Sequence, residues 1–164
     1  MKVGLLTFHR YNNYWAVLQS YDSLQILKSI WVECEVINLR KQPNNSIVSH
    51  VYNQMLNRGF QRFRNHYLIP CTKRYYENDD LQKLNSCYDA FVVGSDQVWR
   101  PQLTQELVLN YFLDFADEEK LKIAYAASFG IALWSESKDL TSKIKNLLQR
   151  FNSISVREDS GVEI

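Results

Sequence analysis

Residues 88–101 read Tyr-Asp-Ala-Phe-Val-Val-Gly-Ser-Asp-Gln-Val-Trp-Arg-Pro, and no other stretch constrains the fold as much. Ala90, Phe91, Val92 and Val93 form an unbroken apolar run closed by Gly94. A run of that length without alternation is how a strand buried on both faces of a parallel sheet reads. The character then changes at once: Ser95, Asp96, Gln97, Trp99 and Arg100 carry hydrogen-bonding side chains, and Pro101 blocks any continuing strand. Polar loops at the carboxyl ends of parallel strands are where open α/β sheets bind ligands. Gly94 is expected to turn the chain sharply there and to let backbone approach a bound molecule.

The rest of the chain falls in around that strand. Residues 2–8 read as a first buried strand, followed by a polar and aromatic loop over 9–14. Val17, Tyr21, Leu24, Leu27 and Trp31 have the spacing of one helix face, and residues 33–39 make a second strand. Residues 43–46 read as a turn, and the periodicity over 47–67 predicts a helix that Gly59 weakens. Residues 70–78 read as irregular and 79–86 as a short helix, while 101–115 stay open between helix and irregular chain, anchored by Tyr111, Phe112 and Phe115. A further strand over 121–127, an amphipathic helix through Leu140, Ile144, Leu147, Leu148 and Phe151, and a strand at Ile154 and Val156 complete the order. Strand alternating with helix predicts right-handed crossovers, hence a Rossmann-like three-layer α/β domain with a mostly parallel sheet of about five strands.

Composition narrows the function classes. The 164 residues suit one domain with a real core; 46% are apolar and 23% charged, which excludes a disordered chain. A net charge of +1 by itself argues for no particular partner, and no nucleic-acid partner is expected. The charge is uneven, however: residues 36–76 hold seven Lys or Arg and no acid, and residues 77–120 hold ten acids and three bases. Cys34, Cys71 and Cys87 are far apart, with no metal-ligand spacing, and are expected to be reduced. With no leader-like segment and no apolar run of membrane-spanning length, the expected location is the cytoplasm.

Chemistry is expected where the strand carboxyl ends meet: residues 9–14, 95–99, 128–130, and Arg157 with Glu158. Hydroxyls, amides, carboxylates and aromatic faces together suit a sugar. Neither a G-x-G-x-x-G nor a G-x-x-x-x-G-K-[ST] loop is present, so a nucleotide-phosphate cradle is not supported, and no G-x-S-x-G elbow occurs.

Several blocks in order resemble the polysaccharide pyruvyl transferase family. They are Thr7-Phe8-His9, Asn13-Tyr14, Ala16-Val17-Leu18-Gln19, the Tyr88 to Trp99 stretch, Tyr111-Phe112-Leu113-Asp114-Phe115, Tyr125-Ala126-Ala127-Ser128-Phe129-Gly130, and Ser155-Val156-Arg157-Glu158. The resemblance implies a two-domain fold similar to GT-B glycosyltransferases, moving a pyruvyl group from phosphoenolpyruvate to sugar hydroxyls as a ketal in cell-surface polysaccharide synthesis. It implies no cofactor, and it aligns residues 1–164 with the amino-terminal, acceptor-side half. It points to Asn13, Tyr14, Gln19, Ser95, Asp96, Gln97, Trp99, Ser128, Arg157 and Glu158 as substrate-binding candidates, with His9, Asp96 and Arg157 as catalytic candidates.

Each candidate has a plainer reading beside it. His9 reads equally as a loop histidine satisfied by backbone, Asp96 as a turn cap, Trp99 as a closure of the core, and Arg157 with Glu158 as a surface pair. The sequence also departs from the family pattern. Trp15 stands where the family typically has glycine, Asp22 where it has alanine, and Trp31 where a glycine usually ends the helix. The chain ends soon after its last strand, so the carboxyl-terminal half is expected to be missing, the isolated chain to be inactive, and self-association to follow from the uncovered interface. The alternative is a non-catalytic carbohydrate- or partner-binding domain derived from the family. A sugar-nucleotide glycosyltransferase half has only fold analogy behind it.

Overall fold

The computed structural model describes residues 1–10, 13–41, 58–76 and 80–164. The expected turn at 43–46 and the first part of the expected 47–67 helix lie outside the described residues. Among the described residues six strands form one sheet: β1 (Lys2–Leu6), β2 (Glu33–Arg40), β3 (Cys71–Tyr76), β4 (Ala90–Val93), β5 (Leu121–Ala127) and β6 (Ser153–Val156). Their spatial order is β3-β2-β1-β4-β5-β6, and every pair is parallel. Helices α1 (Tyr14–Ser29), α2 (Arg58–Tyr67), α3 (Pro101–Thr104), α4 (Lys138–Leu148) and α5 (Ser160–Glu163) connect or follow them, with 3-10 turns at Leu81–Ser86, Gln105–Leu107 and Asn110–Phe112.

Strand parity divides the core into two layers. Val3, Leu5, Val36, Ala90 and Val92 face Leu24 of α1 and Leu68 on one side. Leu6, Ile37, Leu39, Phe91 and Val93 face Leu84, Phe112, Phe115 and Ile144 on the other. The four residues of β4 are all buried, as their unbroken apolar run requires. This is the three-layer α/β architecture that the alternating pattern predicts.

Three differences from the sequence reading have physical causes. The sheet has six strands rather than five, because residues 71–76 form β3 where irregular chain was expected. Cys-Thr-Lys-Arg-Tyr-Tyr lies on the sheet edge, where no residue of the strand is fully buried, so it carries no hydrophobic signature. The 79–86 helix is a 3-10 turn, and residues 101–115 hold one short helix and two 3-10 turns rather than a single element. Trp31 is not on the buried helix face: it follows α1, 97% exposed, with φ of 61°. It adopts the left-handed conformation that a helix-ending glycine would take without strain.

Candidate functional site

Strands β1 to β3 run outward to one side and β4 to β6 to the other, so the strand order reverses between β1 and β4. That reversal leaves a crevice at the carboxyl edge, the usual ligand position in such sheets. Gln19 of α1 bridges it. Its amide donates to the Phe8 and Ala16 carbonyls (both 2.9 Å) and to Thr7 Oγ1 (3.0 Å), and its Oε1 accepts from the Ser95 N–H at 3.4 Å. Gln19 therefore ties the loop after β1 to the loop after β4. Thr7, buried beneath it, has no hydropathy signal that could have marked it.

The loops after β4, β5 and β6 interlock. Asp96 Oδ1 accepts from the Gln97 N–H at 2.7 Å, and its carbonyl accepts from the Ser128 N–H at 3.0 Å. Ser128 Oγ donates to Glu158 Oε1 at 2.7 Å and accepts from Arg157 Nη2 at 3.1 Å, while the Gly130 N–H donates to the same Glu158 oxygen at 3.0 Å. Arg157 Nε lies 3.7 Å from Glu158 Oε2. Burial pushes the Asp96 carboxyl above the usual range, against the pull of the Gln97 N–H and the Arg157 charge. Beside these groups lies a cleft of about 540 Å³, lined by Ser128, Gly130, Ile131, Arg157, Glu158 and Ser160.

Two glycines make this geometry possible. Gly94 has φ of 118°, and a Cβ there would overlap the Tyr125 carbonyl of β5. The close approach expected at Gly94 is thus to the neighbouring strand. Gly130 has φ of 63° and lies under Gln97, whose Cδ would be 2.6 Å from an added Cβ. Gln97 is held over it by Arg100 Nη1, which donates to Gln97 Oε1 at 3.1 Å.

Other candidates sit elsewhere. Trp99 is 0% exposed, stacks on Phe112 with centroids 5.0 Å apart, and donates its indole N–H to the Tyr111 carbonyl. It closes the core and presents no face to the cleft. Asn13 caps α1, its Oδ1 accepting from the Trp15 N–H at 2.9 Å, and the Tyr14 ring packs on Phe60 of α2 at 4.9 Å. His9 is 2% exposed, with Nδ1 3.0 Å from the Thr7 carbonyl and Nε2 unpaired in the interior. Burial lowers its pKa to about 4, so the ring is neutral near pH 7.

The sequence reading missed a second cavity, about 320 Å³, on the other side of the crevice. Arg10, Arg40 and Lys41 line it with Phe8, Leu39 and Leu107. The acid-free charge pattern of residues 36–76 was the available signal. Among the described residues no group of His, Cys, Asp and Glu is arranged to hold a metal ion, and no helix is long and apolar enough to cross a membrane.

The family model described as polysaccharide pyruvyl transferase matches residues 13–164. No curated protein gives a match to the sequence.

Proposed function

The chain belongs to the polysaccharide pyruvyl transferase family, and we propose that it is the acceptor-side, amino-terminal half of an enzyme that moves a pyruvyl group from phosphoenolpyruvate to a sugar. In that reaction two sugar hydroxyl oxygens bond to C2 of phosphoenolpyruvate and its C2–O bond to phosphate breaks. One hydroxyl proton ends on the methylene carbon, which becomes a methyl group, and the other leaves with the phosphate. The protein must therefore orient two hydroxyls, supply a proton to carbon and stabilise a departing anion.

The observation that supports the acceptor role is the cleft beside Ser128, Arg157 and Glu158. It offers carboxylate and hydroxyl acceptors beside a guanidinium donor, already fixed by one another, which suits paired sugar hydroxyls. Among the described residues Arg157 is the only cation lining that cleft, and it is paired with Glu158. The neutral, buried His9 is poorly suited to give a proton to carbon. Both points favour a chain that binds acceptor but does not turn over alone, and they equally favour a non-catalytic carbohydrate-binding domain.

The test is binding of oligosaccharide panels to the chain and to Glu158→Ala, which leaves Ser128 Oγ and the Gly130 N–H without their acceptor. Sugar binding is expected to fall at least about tenfold, with about 1–2 kcal/mol of stability lost. Equal binding by both proteins would remove this cleft from the acceptor site. Ketal formed from phosphoenolpyruvate by the pure chain would overturn the inactivity of the isolated half.

A further inference from the structure

The cavity at the ends of β1 and β2 has a chemistry of its own. Arg10 follows β1; Arg40 ends β2 and Lys41 follows it, so adjacent parallel strands deliver three cations to one rim. Arg40 Nε donates to Asn38 Oδ1 at 3.0 Å. Arg10 Nε is buried without a hydrogen-bond partner. Behind them Arg64 of α2 is 6% exposed, with Nε and Nη1 unpaired. Arg64 feels the charge of Arg10, and Arg40 feels those of Arg10 and Arg74; burial and this mutual repulsion lower the pKa of Arg40 to about 10.

The first acid after Arg40 in the sequence is Glu77, just after β3, the strand paired with β2, and it lies outside the described residues. Residues 1–21 and 36–76 contain no Asp or Glu, and Glu33 and Glu35 stand at the opposite end of β2. Among the described residues, no carboxylate pairs with Arg10, Arg40, Lys41, Arg64 or Arg74. Buried guanidinium groups are ordinarily paired, because a desolvated, unmatched charge is costly. The planar forks of several arginines match the oxygens of a phosphate, and Phe8, Leu39, Leu103 and Leu107 give an apolar wall beside them.

We infer that the cavity lined by Arg10, Arg40 and Lys41 binds a phosphate or diphosphate ester, the phosphate seated on the guanidinium groups and the carbon skeleton on the apolar wall. Two sources share that chemistry: a diphosphate carried by a sugar acceptor, and a small phosphate monoester such as phosphoenolpyruvate. The site is independent of the sugar reading above, since the phosphate alone is what it recognises.

The experiment is calorimetric titration of the full chain with inorganic pyrophosphate at low salt, repeated for Arg10→Gln, Arg40→Gln and Lys41→Gln. Saturable binding is expected, weakened at least tenfold by each of the Arg10 and Arg40 changes and less by Lys41→Gln, which leaves both guanidinium groups in place. Arg58→Gln, on the exposed start of α2, is expected to leave it unchanged. Thermal midpoints measured without ligand check that each variant folds. Displacement of pyrophosphate by a nucleoside-diphosphate sugar but not by phosphoenolpyruvate assigns the site to an acceptor-borne diphosphate; displacement by phosphoenolpyruvate assigns it to the monoester. No saturable binding at millimolar pyrophosphate overturns the inference, as does an equal loss in Arg58→Gln, which would report diffuse charge attraction only.

Discussion

The two sides of the crevice solve the same problem in opposite ways. On the β4–β5–β6 side the charged groups of the cleft have internal partners: Glu158 takes Ser128 Oγ and the Gly130 N–H, and Arg157 takes Ser128 and Glu158, although Arg100 Nε, nearby, is buried without one. On the β1–β2 side, Arg10 and Arg64 carry buried nitrogens with none. The first side is pre-organised, with little to gain electrostatically from a charged ligand. The second is held at an unfavourable charge balance that an anion would relieve. A neutral sugar suits the one and a phosphate the other. The uneven charge along the sequence therefore corresponds to a division within the edge of a single sheet.

The largest expected effect falls on the pre-organised side. Gly94→Ala forces a Cβ into the Tyr125 carbonyl at φ of 118°, so β4 and β5 must separate just where the loops of Asp96 and Ser128 interlock. We expect a loss of about 4 kcal/mol or more, from steric overlap added to left-handed strain. Urea unfolding measures it. A loss below about 1 kcal/mol would mean that the loops hold their positions without this close approach, and the contrast between the sides would weaken.

The other side is probed by pH. His9 has a folded pKa of about 4 against an ordinary value of 6.5, so the unfolded chain binds the proton first. Stability is then complete above about pH 6.5 and is lost as pH falls towards 4, by up to about 3 kcal/mol. Asp96, whose pKa is raised, acts in the opposite sense: the stability it contributes when protonated is lost as pH rises through its folded value. That term is common to wild type and to His9→Asn, whose amide can still donate to the Thr7 carbonyl. Unfolding free energies at pH 7 and 4.5 are expected to fall more steeply for wild type, by about 2 kcal/mol. Parallel pH dependence would show that water reaches His9.

How far the sequence reveals this molecule follows from what each residue touches. β4 was legible because four buried residues in a row leave one reading, and Ser128, Arg157 and Glu158 were legible because parallel strands must end on one edge. β3 was not, since an edge strand has no apolar pattern to show. Trp99 was ambiguous because an indole in a polar loop turns either way, and only the stack on Phe112 decides. Lys122 was unreadable: it is wholly buried, its ammonium donating to the carbonyls of Asp117, Glu118 and Lys120, a cage that no local spacing announces. The cation cavity draws on Arg10, Arg40 and Lys41, which lie about thirty residues apart and meet only through the pairing of β1 with β2.

The smallest effect is expected at Trp15, which bears on whether the start of α1 takes part in either side. Were the indole part of the core, its removal would cost several kcal/mol; were it filling a sugar cleft, its removal would strengthen binding. The structure leaves it 81% exposed, and its backbone N–H, the group that meets Asn13, is retained in any substitution but proline. Trp15→Gly should therefore cost only the helix propensity of a first-turn position, about 0.5–1 kcal/mol. For a domain of this size that is a fall of about 1–4 °C in thermal midpoint. Sugar binding beside Glu158 and pyrophosphate binding at Arg10 and Arg40 are both expected to stay unchanged. A fall of more than about 10 °C would place the indole in the core. A gain in sugar binding at unchanged midpoint would instead extend the acceptor site across the crevice to α1, and the division between the two sides would no longer hold.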